Sequence, residues 1–398
     1  MARPLNIAHC VESYAPALGG MPEVVRQLSE RMAAMGHGVT VFTSAHADRH
    51  RPELNGVTIR SFDVRGNLVQ GLEGEVERYR NAVMTSAADV VVLFAAQQWA
   101  TDALIPHLDT IPAKKVFVPT GFSALRDPAY AAYYERMPDV LRRMDLNVFL
   151  SHTYQDIAFA RAHNVPAITV IPNGAAAEEF ESAASYDIRN ELGIAPAQRI
   201  ILHLGSYTGI KGHREAIGMF LKADTADAVL VLIGNGNEKL GHLFDHHWRF
   251  TALRWQARLR RKRIVFLELD RSRTVSAMKQ ADLFLFPSQV ECSPIVLFET
   301  LAAGVPFLAS TAGNTQEIVE WTKGGWTMPG RTDASGRTHA DLSAGAAMLS
   351  DLLRRPEAMR DAALSGQAAW KERFTWQTIA EQYLKEYMRL CNTNGGPR

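Results

Sequence analysis

Two α/β domains of similar size, each built on a parallel sheet and joined near residue 175, are what the sequence predicts. Three observations point there. Short β-branched runs alternate with amphipathic helical stretches along most of the chain, the pattern of parallel sheets covered by helices. The alternation breaks at Pro172-Asn173-Gly174, followed by Ala175 to Ala177 and an acidic, serine-rich stretch, and then restarts. A length of 398 residues, 47% of them hydrophobic, suffices for two or three domains whose cores need no disulfide or metal.

Leu5 to Val11 reads as the first strand. Pro22 to Met35 follows as a helix, with proline in its first turn, Gly36 as its stop, and Val24, Val25, Leu28 and Met32 on one face. Val39 to Thr43 completes a βαβ unit. Further first-domain strands are expected at Val57 to Phe62, Val90 to Phe94, Lys115 to Val118, Asn147 to Ser151 and Ile168 to Ile171. The second domain is expected to contribute Ile200 to Leu204, Ala228 to Ile233, Ile264 to Leu267, Leu283 to Phe286 and Val305 to Leu308. A last helix, Trp376 to Leu390, carries Ile379, Tyr383 and Tyr387 at four-residue spacing, so one face must pack. The tail from Asn392 to Arg398 is expected to be loose.

Composition excludes several classes. Lys and Arg number 43 against 42 Asp and Glu, a balance that argues against a dedicated nucleic-acid binder. Cys10, Cys292 and Cys391 are too scattered for a disulfide framework or a Cys-rich zinc site. The N-terminus shows no signal-peptide pattern, and apolar runs such as Val90 to Ala96 fall far short of a membrane span. A cytoplasmic protein is the expectation.

Chemistry concentrates between Phe286 and Pro306. A buried strand ends at Pro287-Ser288, a loop passes through Glu291 and Cys292, and Ser293-Pro294 reads as an N-cap with a first-turn proline. The helix from Pro294 to Ala303 stops at Gly304. Its N-terminus therefore follows a parallel strand, where open α/β sheets bind ligands and where backbone N–H groups and the helix dipole favour a phosphate. Glu299 lies roughly 7–8 Å along that helix, a span that suits a pyrophosphate at the helix end with its ribose beside the carboxylate. Glu291 falls on the side where a leaving sugar would lie. Taken alone, the two glutamates also fit solvent-facing charges. After Ile200 to Leu204 comes Gly205-Ser206-Tyr207-Thr208-Gly209-Ile210-Lys211-Gly212, a turn that lets backbone approach a phosphate with Lys211 as its point charge. It is equally an ordinary surface turn. Gly234-Asn235-Gly236-Asn237 is a weaker signal of the same kind. In the first domain Gly19-Gly20 lets something come close to a helix end and fits a tight turn at least as well; it is no G-x-G-x-x-G fingerprint, which disfavours a dinucleotide cofactor.

Pro287-Ser288, Glu291 through Glu299, and Ala302 to Pro306 resemble the signature of the group-1 retaining glycosyltransferases of GT-B fold, whose hallmark is two glutamates separated by seven residues. The resemblance extends to Gly19-Gly20, Val170 to Gly174, Gly205 to Gly212, Ala281-Asp282, Gly313 to Glu317 and Phe374-Thr375-Trp376. It implies two Rossmann-like domains facing across a cleft. Residues 1–175 would form the acceptor side, with the helix 376–391 crossing back to it, and 176–375 would bind a nucleotide-sugar. It implies Glu291 and Lys211 as catalytic residues. Lys211 would hold the diphosphate, Glu299 the ribose hydroxyls and Glu291 the sugar. The backbone of Ser293, Pro294, Ile295 and Val296 would hold phosphate and sugar, beside Cys292. Gly205, Ser206, Thr208 and Gly234 would line the donor, and Leu267 to Asp270, with Leu269, would read the base. Gly19, Gly20, Thr120 and Gly121 fall on the acceptor side.

The implied reaction retains the anomeric configuration, with UDP-sugars favoured as donors and a glycan, lipid-linked or small-molecule acceptor. No D-x-D occurs in the chain, which fits a site without a metal and without a cofactor. Two departures stand out: Ser206 where the family commonly has arginine, and Pro119-Thr120-Gly121 where many members carry histidine. His9, His46 and His152 lie near strand ends and read as structural or solvated. A nucleotide-sugar epimerase or phosphorylase on the same fold, or a non-catalytic sugar-nucleotide binder, stays open. The basic, tryptophan-containing run from Trp248 to Arg263 reads first as a solvated helix face and second as a peripheral membrane contact. Tyr130 to Tyr134 fits either a sugar-stacking surface or core.

Overall fold

In the computed structural model the described residues are 3–225, 227–235 and 262–392. The chain divides into two compact units, Met1–Asn173 with Trp376–Arg398, and Gly174–Thr375. The first division falls between Asn173 and Gly174, at the Pro-Asn-Gly break.

The first unit is an eight-stranded sheet in the order β10-β9-β8-β7-β1-β2-β4-β3. Its members are β1 (Asn6–Cys10), β2 (Gly38–Ser44), β3 (Glu53–Leu54), β4 (Val57–Phe62), β7 (Val90–Phe94), β8 (Lys114–Val118), β9 (Leu146–Phe149) and β10 (Ile168–Val170). All pairings are parallel except β3 with β4. Ile7 pairs with both Val39 and Val90, so β1 sits mid-sheet, and β7 is buried along its whole length, as a strand covered on both faces must be. The Gly20–Ala34 helix turns Val24, Val25, Leu28 and Met32 inward. The Trp376–Asn392 helix packs against it, burying Ile379, Tyr383 and Tyr387. A hairpin of β5 (Val64–Asn67) and β6 (Gly71–Gly74) stands apart from the main sheet.

The second unit carries a parallel six-stranded sheet, β13-β12-β11-β14-β15-β16. These are β11 (Ile200–Leu204), β12 (Val229–Ile233), β13 (Arg263–Leu267), β14 (Leu283–Phe286), β15 (Phe307–Ala309) and β16 (Gly325–Thr327). Side chains alternate across a strand, and here they feed two cores. Ile200, Leu202, Val229, Val231, Phe284 and Phe286 face one; Ile201, Leu230, Leu232, Leu283 and Leu285 face the other. Strand β15 starts later than the expected Val305 because Gly304 turns at φ 70° and Pro306 has no N–H for a ladder. A polar hairpin of β17 (Gly330–Thr332) and β18 (Thr338–Ala340) is tied to the signature loop by Thr338 N–H donating to Gln289 O at 2.8 Å.

The basic run from Trp248 to Arg261 lies outside the described residues, as do Gly236-Asn237 and residues 393–398. The remaining two cations of that run are engaged within the unit. Lys262 Nζ donates to the carbonyls of Phe220 (2.6 Å) and Leu221 (3.2 Å) at the end of the His213–Lys222 helix, and Arg263 donates to Leu192 O. Among the described residues no helix is long and apolar enough to cross a membrane.

Candidate active site

Because the second sheet is parallel, the loops that follow its strands share one edge. The loop after β11 bends down onto the end of β14. Gly212 sits at φ 82°, and a Cβ there would lie 2.1 Å from Pro287 O, so only glycine lets the two loops close. Gln289 N–H donates to Ile210 O at 2.9 Å, and Ser288 Oγ lies 3.4 Å from the same carbonyl. This stitching carries Lys211 across to a residue 80 positions away: its Nζ donates to Glu291 Oε1 at 2.7 Å. The same carboxylate oxygen accepts from Ser288 Oγ at 2.8 Å.

The signature helix runs Ile295–Ala302, one residue later than expected at its start. Pro294 occupies the cap position and makes no side-chain cap hydrogen bond, which corrects the expectation of Ser293 as N-cap. The loop after β15 is the reason. Asn314 N–H donates to Cys292 O at 2.9 Å and Asn314 Nδ2 to Ser293 Oγ at 3.3 Å, so the serine hydroxyl is engaged by that loop. Leu297 N–H donates to Pro294 O at 3.1 Å, and the N–H groups that begin a helix otherwise lack intrahelical acceptors, so this end is suited to an anion. Further along, Glu299 is buried and forms an ion pair with Arg271 at 2.6 Å.

The third loop follows β13. Leu267 O accepts from Gly234 N–H at 3.1 Å and from Tyr207 Oη at 3.2 Å, which joins the ends of β11, β12 and β13. Leu269 packs partly buried against the core, and Asp270 caps the Arg271–Lys279 helix by accepting from Arg273 N–H at 2.9 Å. Lys211 and Glu291 are thus in contact. Glu299 stands about one turn into the helix that follows them, and its partner Arg271 opens the helix that follows the Leu267–Asp270 loop.

A model described as glycosyl transferase 4-like domain matches residues 19–174, and one described as glycosyl transferases group 1 matches 185–340. The chain belongs to the group 1 glycosyltransferases. The fold of this glycosyltransferase is GT-B, and its activity is glycosyl transfer; the epimerase, phosphorylase and non-catalytic alternatives are not favoured. It is 21% identical over 388 residues to the gpi3 subunit of phosphatidylinositol N-acetylglucosaminyltransferase from Schizosaccharomyces pombe, covering 96% of this chain and 80% of that one. Sucrose-phosphate synthase from Thermosynechococcus elongatus superposes with a TM-score of 0.78 at 19% identity, over 98% of this chain and 100% of that one. HepE from Anabaena, solved in complex with UDP, superposes with a TM-score of 0.74 at 18% identity, over 96% and 99%.

Three groups in this glycosyltransferase escaped the sequence reading. Arg271 pairs with Glu179 as well as Glu299, and although burial would lower its pKa, the two carboxylates outweigh burial and hold it above the ordinary arginine value. The only sequence signal for it was a cation at the first residue of a helix, against the dipole. His203 and His213 pack edge to face, 4.3 Å between ring centroids, beneath the Gly205–Gly212 loop. Burial lowers them to about 4 and about 2, so both are neutral and His203 Nδ1–H donates to Leu285 O at 2.8 Å.

On the first unit, Gly19 caps the first helix at φ 147°, and Thr120 (φ 59°) and Gly121 (φ 110°) turn the chain after β8. Gln155 Nε2 donates to the carbonyls of Gly121 and Phe122, each at 2.9 Å, fixing that turn. His9 is buried, 2.7 Å from Ser29 Oγ, and burial lowers its pKa to about 3, a structural role. Tyr133 and Tyr134 belong to the core. Tyr133 Oη donates to Asp102 Oδ1 at 2.8 Å, and Leu68 N–H to Asp102 Oδ2 at 3.0 Å.

Burial raises the Asp102 carboxyl to about 6 against those hydrogen bonds. Between the ordinary value and about 6, the folded chain keeps a proton that the unfolded chain has released, so this group's contribution to stability falls as pH rises through that window. Thermal melts of Asp102→Asn and wild type from pH 4 to 7 are expected to diverge, the wild type losing on the order of 5 °C relative to the variant by pH 7.

Proposed function

We propose that this glycosyltransferase moves a hexosyl group from a nucleotide-sugar, with UDP as the favoured carrier, to a glycan, lipid-linked or small-molecule acceptor, with retention of configuration and without a metal. The observation that carries the reading is the Lys211–Glu291 contact beside a helix N-terminus whose cap position is Pro294, a residue with no side-chain cap hydrogen bond. The diphosphate of the donor would sit at that N-terminus and draw Lys211 from Glu291, since it offers the ammonium more negative charge than one carboxylate. Lys211 and the first-turn N–H groups then stabilise the charge that grows on the departing diphosphate. Glu291 keeps Ser288 Oγ as a donor and turns its carboxylate to the sugar hydroxyls. The hydroxyl of the acceptor attacks from the face that the diphosphate leaves. A phosphate oxygen takes its proton, the anomeric carbon–oxygen bond to phosphate breaks, and the new glycosidic bond forms on the same face. Glu299 accepts from the ribose, and Leu267 to Asp270 border the base.

Ser206, in place of the family arginine, leaves Lys211 as the cation of this loop. The UDP bound to the structurally similar HepE supports the donor class. Thermal shift against UDP, GDP, ADP and their sugars tests it: the cognate nucleotide raises the melting temperature by mass action. Proton NMR of the product then gives the anomeric configuration, and turnover is expected to persist in EDTA. A product of inverted configuration, or loss of turnover in EDTA restored by a divalent cation, overturns the corresponding part of the reading.

A further inference from the structure

Arg271 opens the Arg271–Lys279 helix, where a cation opposes the helix dipole. Two carboxylates hold it there. Its Nη2 lies 2.6 Å from Glu299 Oε1 and also pairs with Glu179, while its Nε reaches Glu179 Oε2 at 3.2 Å. The Phe180 ring lies 5.9 Å from the guanidinium carbon and helps to fix its plane. The pair is sheltered at one end only: the Glu299 side chain is 7% exposed and the Arg271 side chain 40%. A carboxylate so sheltered needs a partner to stay ionised. Because it accepts at about four lone-pair positions, a guanidinium on Oε1 leaves capacity for hydroxyl donors.

We propose that Arg271 is the positioning residue for ribose recognition: it holds Glu299 ionised and oriented so that the site prefers a nucleotide bearing the 2′ and 3′ hydroxyls. This rests on the reading of Glu299 as the ribose acceptor. Without those hydroxyls, a charged acceptor that has given up water is left short of donors, a loss of about 10- to 100-fold in affinity. Without Arg271 the same carboxylate loses its charge or its aim, and the preference disappears from a site that still binds base and diphosphate.

Calorimetric titration with UDP and 2′,3′-dideoxy-UDP tests this, with the GDP or ADP pair used where the wild type takes that base. Wild type is expected to prefer the ribonucleotide by about tenfold or more. Arg271→Met is expected to bring the ratio to within about threefold, with the dideoxy affinity nearly unchanged. Arg271→Lys, which keeps the charge but not the planar fork, is expected to recover part of the ratio. Arg271→Met combined with Glu299→Gln is expected to be no worse than either alone. A loss shared equally by both nucleotides in Arg271→Met and Arg271→Lys would mark a packing role and overturn the proposal. So would an unchanged ratio. Wild type that binds nucleotide without preferring ribose overturns the role given to Glu299, and wild type that binds no nucleotide overturns the donor reading beneath it.

Discussion

Lys211→Met is expected to cut turnover by about 10²- to 10³-fold, the usual cost of removing one group that stabilises charge in a transition state. Methionine keeps most of the side-chain length, so the Gly205 cradle, where a Cβ would lie 2.9 Å from Lys211 Cβ, stays filled. What is lost is the ammonium. Diphosphate carries more charge on leaving than in the donor, so kcat falls further than donor KM rises. The variant also strips Glu291 of its 2.7 Å partner, leaving Ser288 Oγ at 2.8 Å. Steady-state kinetics with the cognate donor decides the matter. A kcat within about threefold of wild type would remove Lys211 from the reaction and, with it, the placement of the diphosphate at this helix end.

Glu299→Gln is expected to act on binding. The ribose stands away from the bond that breaks, so its contacts are made alike in the donor complex and the transition state. Replacing a charged acceptor by an amide costs roughly 1.5–3 kcal/mol, which is about 10- to 100-fold in donor KM with kcat largely kept and acceptor KM unmoved. Glutamine preserves the shape of a side chain that is buried within the Ile295–Ala302 helix, and Arg271 retains Glu179. A rise in acceptor KM instead would place Glu299 on the other substrate.

The two-fold alternation of helix and strand was legible because each buried strand is a continuous apolar run. Val90–Phe94 and Leu283–Phe286 are buried at every residue, and a run of that kind reads the same in the sequence as in the sheet. The hairpins were not legible. Val64–Asn67 and Gly71–Gly74 lean on Gly66, Gly71 and Gly74 at positive φ, and Gly330–Thr332 is exposed throughout, so no apolar alternation announces them. The cap at Ser293 failed for a long-range reason, a contact from Asn314 that local spacing does not encode. In the site, the residue types and their spacing pointed to a phosphate-binding helix end. The meeting of Lys211 with Glu291, and of Arg271 with Glu299, depends on loops from separate strands and has no signature in one sequence.

The Trp376–Asn392 helix belongs to the unit begun by the first residues of the chain, with all of Gly174–Thr375 intervening. In synthesis Gly20–Ala34 therefore waits for Trp376–Asn392 before the faces of these two helices can cover each other. The cost of that wait is limited by the intervening unit itself. Ala175 N–H donates to Phe374 O at 3.0 Å and Ala175 bridges Thr375, so once Gly174–Thr375 has folded, its two ends emerge side by side. The entropy of closing a long loop is then already spent, and the final helix has only a short distance to search. The inserted unit is thus a clasp that brings together the two points where the interrupted one is broken.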